Sequence, residues 1–158
     1  MGKKITILVG TMTGTADLVA EEVRDRLAAD GVEVEILAMD RLGAEALQRD
    51  GVCLICTSTY GQGDVPDNAQ EFFAALERDK PDLSALSYGV IALGDRTYTA
   101  TFCFGGKRFD ALLQSLGAQR IGEVMLHDAS AGTIPEEVAV EWAAEWIEGV
   151  PEARDEAA

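Results

Sequence analysis

Three hydroxyl side chains, Thr11, Thr13 and Thr15, surround Gly14 in the segment Gly10-Thr11-Met12-Thr13-Gly14-Thr15-Ala16. Threonine hydroxyls donate hydrogen bonds to an anion, and a glycine lets the backbone approach it closely. The apolar run Ile5–Val9 in front reads as a strand and the pattern behind as a helix, so the segment joins a strand end to a helix start. Unpaired backbone N–H groups and the positive end of the helix dipole collect at such a junction. The chemistry on offer is phosphate binding by neutral donors, because the segment contains no lysine or arginine. That absence excludes a Walker loop, which needs Gly-Lys-Ser/Thr, and the dinucleotide pattern G-x-G-x-x-G is missing too. A response-regulator receiver needs an acidic cluster after its first strand and a phosphorylatable Asp after its third. Those positions here read Thr-Met-Thr and Thr-Ser-Thr.

Two further loops carry aromatic chemistry. One is Thr57-Ser58-Thr59-Tyr60-Gly61-Gln62-Gly63-Asp64, the other Gly94-Asp95-Arg96-Thr97-Tyr98 running on to Phe102-Cys103. The chain has three tyrosines, and these loops hold two of them. A tyrosine beside glycines has little local core to pack into and presents its ring to something flat. Together with the phosphate loop, the two tyrosines describe a planar aromatic ligand bearing one phosphate, and flavin mononucleotide (FMN) fits.

The elements that must position these loops are legible in the hydrophobic pattern. Apolar runs rich in β-branched residues recur at Ile5–Val9, Val32–Leu37, Val52–Cys56, Val90–Leu93 and Ile121–Leu126. Runs such as Val52-Cys53-Leu54-Ile55-Cys56 are continuous rather than alternating, as for strands covered on both faces. Between them lie helical stripes over Thr15–Ala29, Asp67–Arg78, Gly106–Leu116 and Pro135–Glu148, with one or two turns at Ala44–Gln48. Alternation of this kind predicts an α/β protein of three layers, a doubly wound five-stranded parallel sheet in order 2-1-3-4-5 with helices on both faces. Ligands in such sheets sit at the carboxyl ends of the strands, where the winding direction reverses. The length of 158 residues fits one domain over 1–150, followed by an acidic, disordered tail at 151–158.

With 13 basic and 28 acidic residues the net charge is −15. Such a surface repels nucleic acid and anionic membranes and favours a basic protein partner. No run approaches the ~18 apolar residues of a membrane span, and the first apolar run is too short for a secretory leader. Three cysteines without a leader indicate a reducing compartment, so the chain is expected in the cytoplasm.

Several residues tempt without function. Cys53 and Cys56 form a C-x-x-C, yet within a strand they point to opposite faces and behave as buried hydrophobes. Trp142 and Trp146, at helical spacing, cover the sheet. His127, the single histidine, is expected at the surface of a loop edge. Neither a nucleophile–base pair nor a metal-ligand cluster is evident.

The three loop motifs resemble those of short-chain flavodoxins, nearest to the MioC-type flavodoxins and the FMN domain of the diflavin reductases of cytochrome P450 and sulfite reduction. Asp67-Asn68-Ala69-Gln70-Glu71-Phe72-Phe73 and Leu116-Gly117-Ala118-Gln119-Arg120 extend the likeness to residues 4–148. The resemblance implies that Thr11, Met12, Thr13, Gly14, Thr15 and Ala16 bind the FMN phosphate. By the same likeness Tyr60 and Tyr98 flank the ring, and Ser58, Thr59, Gly61, Leu93, Gly94 and Asp95 meet its edge or the ribityl chain. Phe102 and Cys103 close the second aromatic loop, and Asp128 lies near the ring. Gly61 would permit the peptide flip by which family members answer flavin reduction.

The function so implied is a monomeric, low-potential one-electron carrier. Its donor would be an NAD(P)H-dependent flavodoxin or ferredoxin reductase, its acceptor an enzyme such as a P450 or a radical enzyme. The alternatives are a small FMN-dependent NAD(P)H quinone or nitro reductase, and a non-redox interaction module that keeps the fold alone. Asp64, Asp67, Asp95 and Asp128 lie in or beside the cofactor loops. Each carboxylate at ~10 Å opposes a second negative charge on the flavin by about 0.4 kcal/mol in bulk-water dielectric.

Overall fold

The computed structural model describes residues 3–10, 15–41, 51–57, 67–94, 104–128 and 132–150. The chain runs β1 (Lys4–Gly10), α1 (Thr15–Ala29), β2 (Glu33–Ala38), a single 3-10 turn (Met39–Arg41), β3 (Gly51–Thr57), α2 (Asp67–Asp79) and β4 (Leu86–Gly94). It continues through α3 (Phe104–Ser115), β5 (Gln119–Arg120), β6 (Met125–Asp128) and α4 (Pro135–Trp146), with a closing 3-10 turn over Ile147–Gly149. The tail at 151–158 and the expected turns at Ala44–Gln48 lie outside the described residues.

All strand pairings are parallel, and the order is β2-β1-β3-β4-β5, with β6 also paired to β4. The doubly wound order read from the sequence is the one observed. The central strands β1, β3 and β4 bury both faces because each face receives a helical layer, whereas the edge strands β2 and β6 keep exposed positions. Ile5, Ile7, Val9, Leu54, Cys56, Ile91 and Leu93 pack against the apolar stripes of α1 and α4. Leu8, Cys53, Ile55, Tyr88, Val90 and Ala92 pack against α2 and α3. The helical stripes fall where the spacing puts them: Val19, Val23 and Leu27 of α1 are fully buried, as are Ala139 and Ala143 of α4. Cys53 and Cys56 sit in opposite layers, as strand alternation demands.

Two expectations need correction. The fifth strand, expected as one run over Ile121–Leu126, is two short pieces separated by irregular backbone. Arg120 stands opposite Tyr88 and Met125 opposite Ile91, so the edge chain takes five steps where β4 takes three. The two extra residues leave the ladder at Gly122, whose φ of +69° is left-handed and suits glycine. Arg120 Nε donates to the Gly122 carbonyl at 3.0 Å across this excursion, and the Trp146 indole N–H donates to the Ile121 carbonyl at 2.9 Å. β4 begins earlier than Val90, because Ser87 and Gly89 interrupt its apolar run without interrupting its pairing to β3.

Candidate functional site

Strand register decides where the loops converge. Gly10 pairs with Thr57, Thr57 with Ala92, and Gly94 with Asp128, so four strands end along one edge of the sheet. The segments 11–14, 58–66, 95–103 and 129–131 all depart from that edge, and the helices that follow them begin beside it at Thr15, Asp67, Phe104 and Pro135. The chain moves from β1 outward to β2, then crosses β1 to reach β3, which places the reversal of winding between β1 and β3.

The start of α1 is held at that reversal. Ala16 is fully buried, and its carbonyl lies 3.5 Å from the Cys56 Sγ, which donates to it from β3. Burial pushes the Cys56 thiol far above its ordinary range, with Asp17 adding to the effect, so this sulfur stays protonated and packs the helix down. Asp17, in the first turn of α1, is itself held above the ordinary carboxylate range by partial burial and then by Glu21 and Asp40.

The sheet edge is built of small residues. A Cβ on Gly10 would lie 2.7 Å from the Thr57 Oγ1 and 3.1 Å from Ala69 of α2 and from the Met39 sulfur. A Cβ on Gly106 of α3 would lie 2.3 Å from the Ala92 Cβ and 2.9 Å from its Cα. The backbones of α3 and β4 therefore touch just below the end of β4. These residues keep the helix starts close to the strand ends, and a side chain at either glycine would lift them apart.

Of the residues singled out from sequence, Thr15, Ala16, Leu93, Gly94 and Asp128 are brought to this edge. Leu93 is buried at the end of β4 on the α1/α4 side, and Asp128 is half-buried as the last residue of β6. Thr11, Met12, Thr13, Gly14, Ser58, Thr59, Tyr60, Gly61, Asp95, Tyr98, Phe102 and Cys103 lie outside the described residues. Thr57, read as the first loop residue, instead ends β3 with its side chain buried beneath Gly10. Gly106 went unread, although a glycine pair at a helix start signals a close approach.

His127 is corrected. It is 4% exposed rather than on a surface, because β6 alternates Met125 in, Leu126 out at 43% exposed, and His127 in. Its Nε2 lies 2.9 Å from the Thr133 hydroxyl. The two tryptophans do cover the sheet: their rings stack at 5.5 Å, and Trp146 fills the space over Gly89. Among the described residues no cluster of His, Cys, Asp and Glu is arranged to hold a metal ion, and no helix is long and apolar enough to cross a membrane.

A doubly wound parallel sheet with the start of α1 pinned at its switch point defines the class of α/β proteins whose ligands sit at the carboxyl ends of the strands. Residues 7–142 match the family described as Flavodoxin, and the chain belongs to that family, whose cofactor is FMN. It is 43% identical over 143 residues to flavodoxin YqcA of Escherichia coli K12, covering 90% of this chain and 95% of that one. Protein MioC of the same organism is 38% identical over 143 residues, with the same coverage of 90% and 95%. The NADPH sulfite reductase flavoprotein alpha-component of Bacillus subtilis is 37% identical over 158 residues, which are 99% of this chain and 25% of that one. Among solved structures, a cysteine-to-alanine mutant of flavodoxin from Pseudomonas aeruginosa superposes with a TM-score of 0.81 at 35% identity, covering 93% of this chain and 98% of that one.

Proposed function

We propose that this chain binds FMN and works as a low-potential one-electron carrier between an NAD(P)H-dependent flavin reductase and an acceptor enzyme such as a P450 or radical enzyme. The observation that carries the reading is the common edge at which Gly10, Thr57, Gly94 and Asp128 end their strands beside the buried start of α1. FMN, when bound, supplies the electron-accepting isoalloxazine; the protein supplies binding, orientation and electrostatics.

The donor set fits a phosphate monoester. The first-turn N–H groups of α1, with Thr11, Met12, Thr13, Gly14, Thr15 and Ala16, would hold it without a cation. Tyr60 and Tyr98 would cover the ring faces. Ser58, Thr59, Gly61, Leu93, Gly94 and Asp95 would line its edge and the ribityl chain, with Phe102 and Cys103 closing the loop and Asp128 beside the ring. A phosphate group without a balancing lysine, surrounded by Asp64, Asp67, Asp95 and Asp128, disfavours further negative charge on the flavin. The same acidity steers basic protein partners: residues 60–82 alone hold six acids and two bases, a net −4. We read residues 1–150 as one FMN-binding domain with an acidic tail, monomeric and cytoplasmic, with no substrate chemistry of its own.

An absorbance spectrum of the purified protein and an FMN titration of its apoprotein test this reading. Flavin bands and stoichiometric uptake are expected, with reduction by NAD(P)H only when a flavin reductase is added. A protein that takes up no FMN would overturn it. NAD(P)H consumption without a reductase would favour a small quinone or nitro reductase instead.

A further inference from the structure

Between β6 and α4 the sequence reads Gly132-Thr133-Ile134-Pro135-Glu136. Thr133 and Glu136 have the spacing of a capping box, in which the threonine hydroxyl bonds the first turn of its own helix. The structure uses this threonine otherwise. Ile134 is the N-cap of α4, extended at φ −88°, ψ 118° as the following proline requires, and it makes no side-chain cap. Gly132 enters the turn at a left-handed φ of +80°. The Thr133 hydroxyl is directed back across the connection to the buried ring of His127, at 2.9 Å. A hydroxyl can donate or accept, so the bond forms with either imidazole tautomer.

The bond sits at a mechanically weak place. β6 is a four-residue edge strand whose pairing runs to β4, and such a strand frays at its end. Its last two residues stand opposite Leu93 and Gly94, the end of β4 from which residues 95–103 depart. His127 is anchored by burial on one side and by Thr133 on the other, one residue before Asp128.

We propose that His127 and Thr133 form a clasp that holds the end of β6 against Leu93-Gly94 and so positions Asp128 for the flavin. His127 is a positioning residue that need not touch the cofactor. The inference rests on the FMN reading above. It is tested on the full chain with Thr133→Val, which keeps the shape of an exposed side chain and removes the hydroxyl, and with Thr133→Ser, which restores the hydroxyl. The readouts are the FMN dissociation constant of the apoprotein, by flavin fluorescence, and amide hydrogen exchange at Asp128. Loss of one hydrogen bond of ordinary strength predicts that Thr133→Val weakens FMN about three- to tenfold and speeds Asp128 exchange by a similar factor. Thr133→Ser should return both to within about twofold of the parent on the same scale. In a His127→Phe background, which keeps a buried ring and removes its nitrogens, Thr133→Val should have little further effect, as for two halves of one contact.

Native FMN affinity in Thr133→Val would overturn the positioning role even if exchange quickens. Weaker binding without faster exchange would overturn the clasp as its cause. If the parent apoprotein takes up no FMN, the functional reading fails by itself. Exchange at Asp128 then decides the clasp alone, with a native rate in Thr133→Val overturning it and a faster rate supporting it.

Discussion

The two halves of β4 are built on opposite principles. Around Leu86–Gly89 the neighbours are large and aromatic. On one face Tyr88 is buried, and its hydroxyl donates to Asp110 of α3, which also accepts from Arg120 of β5 at 2.6 Å. On the other face Trp146 lies over Gly89, with its indole N–H satisfied by Ile121. Around Ala92 the helix contact is small: Gly106 of α3 lies against it, Thr57 pairs with it from β3, and Gly10 sits in turn against Thr57, so that helix starts close on strand ends. Bulk and satisfied polar groups anchor the edge of the sheet at one half. At the other, glycine and alanine bring the start of α3 directly against the strand. Bulky packing and close backbone approach are thus assigned to different stretches of one strand.

The largest separation of the two halves should come from Trp146→Ala. Removing a buried aromatic is expected to cost about 3–5 kcal/mol in urea unfolding while leaving FMN affinity within about twofold, since its neighbours lie in the amino half. Strong loss of affinity in the still-folded variant would erase the distinction. Next come two identical substitutions on either side of it. Gly89→Ala would drive a methyl to 2.5 Å from the Trp146 ring, and Gly106→Ala one to 2.3 Å from the Ala92 Cβ. Each should cost about 1–3 kcal/mol by overpacking, less in α3 by the ~1 kcal/mol that alanine gains over glycine in a helix. Only Gly106→Ala should also weaken FMN in a fluorescence titration, because it moves the start of α3 from the sheet edge.

Tyr88→Phe should cost about 1 kcal/mol and leave FMN binding unchanged. It also has a pH consequence. Burial first, then the bond to Asp110, raises the Tyr88 pKa well above its ordinary value of 10.0. The native state therefore holds a proton that the unfolded chain releases. The associated stability is complete below about pH 10 and falls as pH rises from there toward the folded value. Thermal melts from pH 9 to 11 should show a shallower alkaline decline for Tyr88→Phe than for the parent. The smallest effect concerns the acidic residues Asp64, Asp67, Asp95 and Asp128. On the proposed function, four carboxylates placed at ~10 Å from a bound flavin would lower a one-electron couple by about 70 mV, so its potential should rise by tens of mV with added salt. A potential indifferent to salt would remove these carboxylates from the account.

What could be read beforehand divides along the same line. The start and end of α1 at Thr15 and Ala29, the burial of Val19, Val23 and Leu27, and the opposite facings of Cys53 and Cys56 follow from local spacing, and they were legible. The strand–helix junction itself was legible, since the apolar run Ile5–Val9 and the helical stripe from Thr15 bracket it in the sequence. His127 was misread because its local sequence, His-Asp-Ala-Ser, is polar, and burial came from pairing with Leu93, 34 positions earlier. Trp146 and Gly89, or Gly106 and Ala92, are likewise complementary shapes that neither partner announces by itself.

The sequence alone determined the alternation of strands and helices, the double coverage of the central strands and the acidity of the chain. Each is written in residue type at spacings of one to four positions, where backbone geometry acts directly. Only the tertiary structure decided that the fifth strand breaks at Gly122, that four strands end at one edge, and that Thr133 bonds His127 rather than its own helix. Those outcomes depend on register and on contacts across the sheet, where the choice among competing partners is settled by packing the whole chain at once.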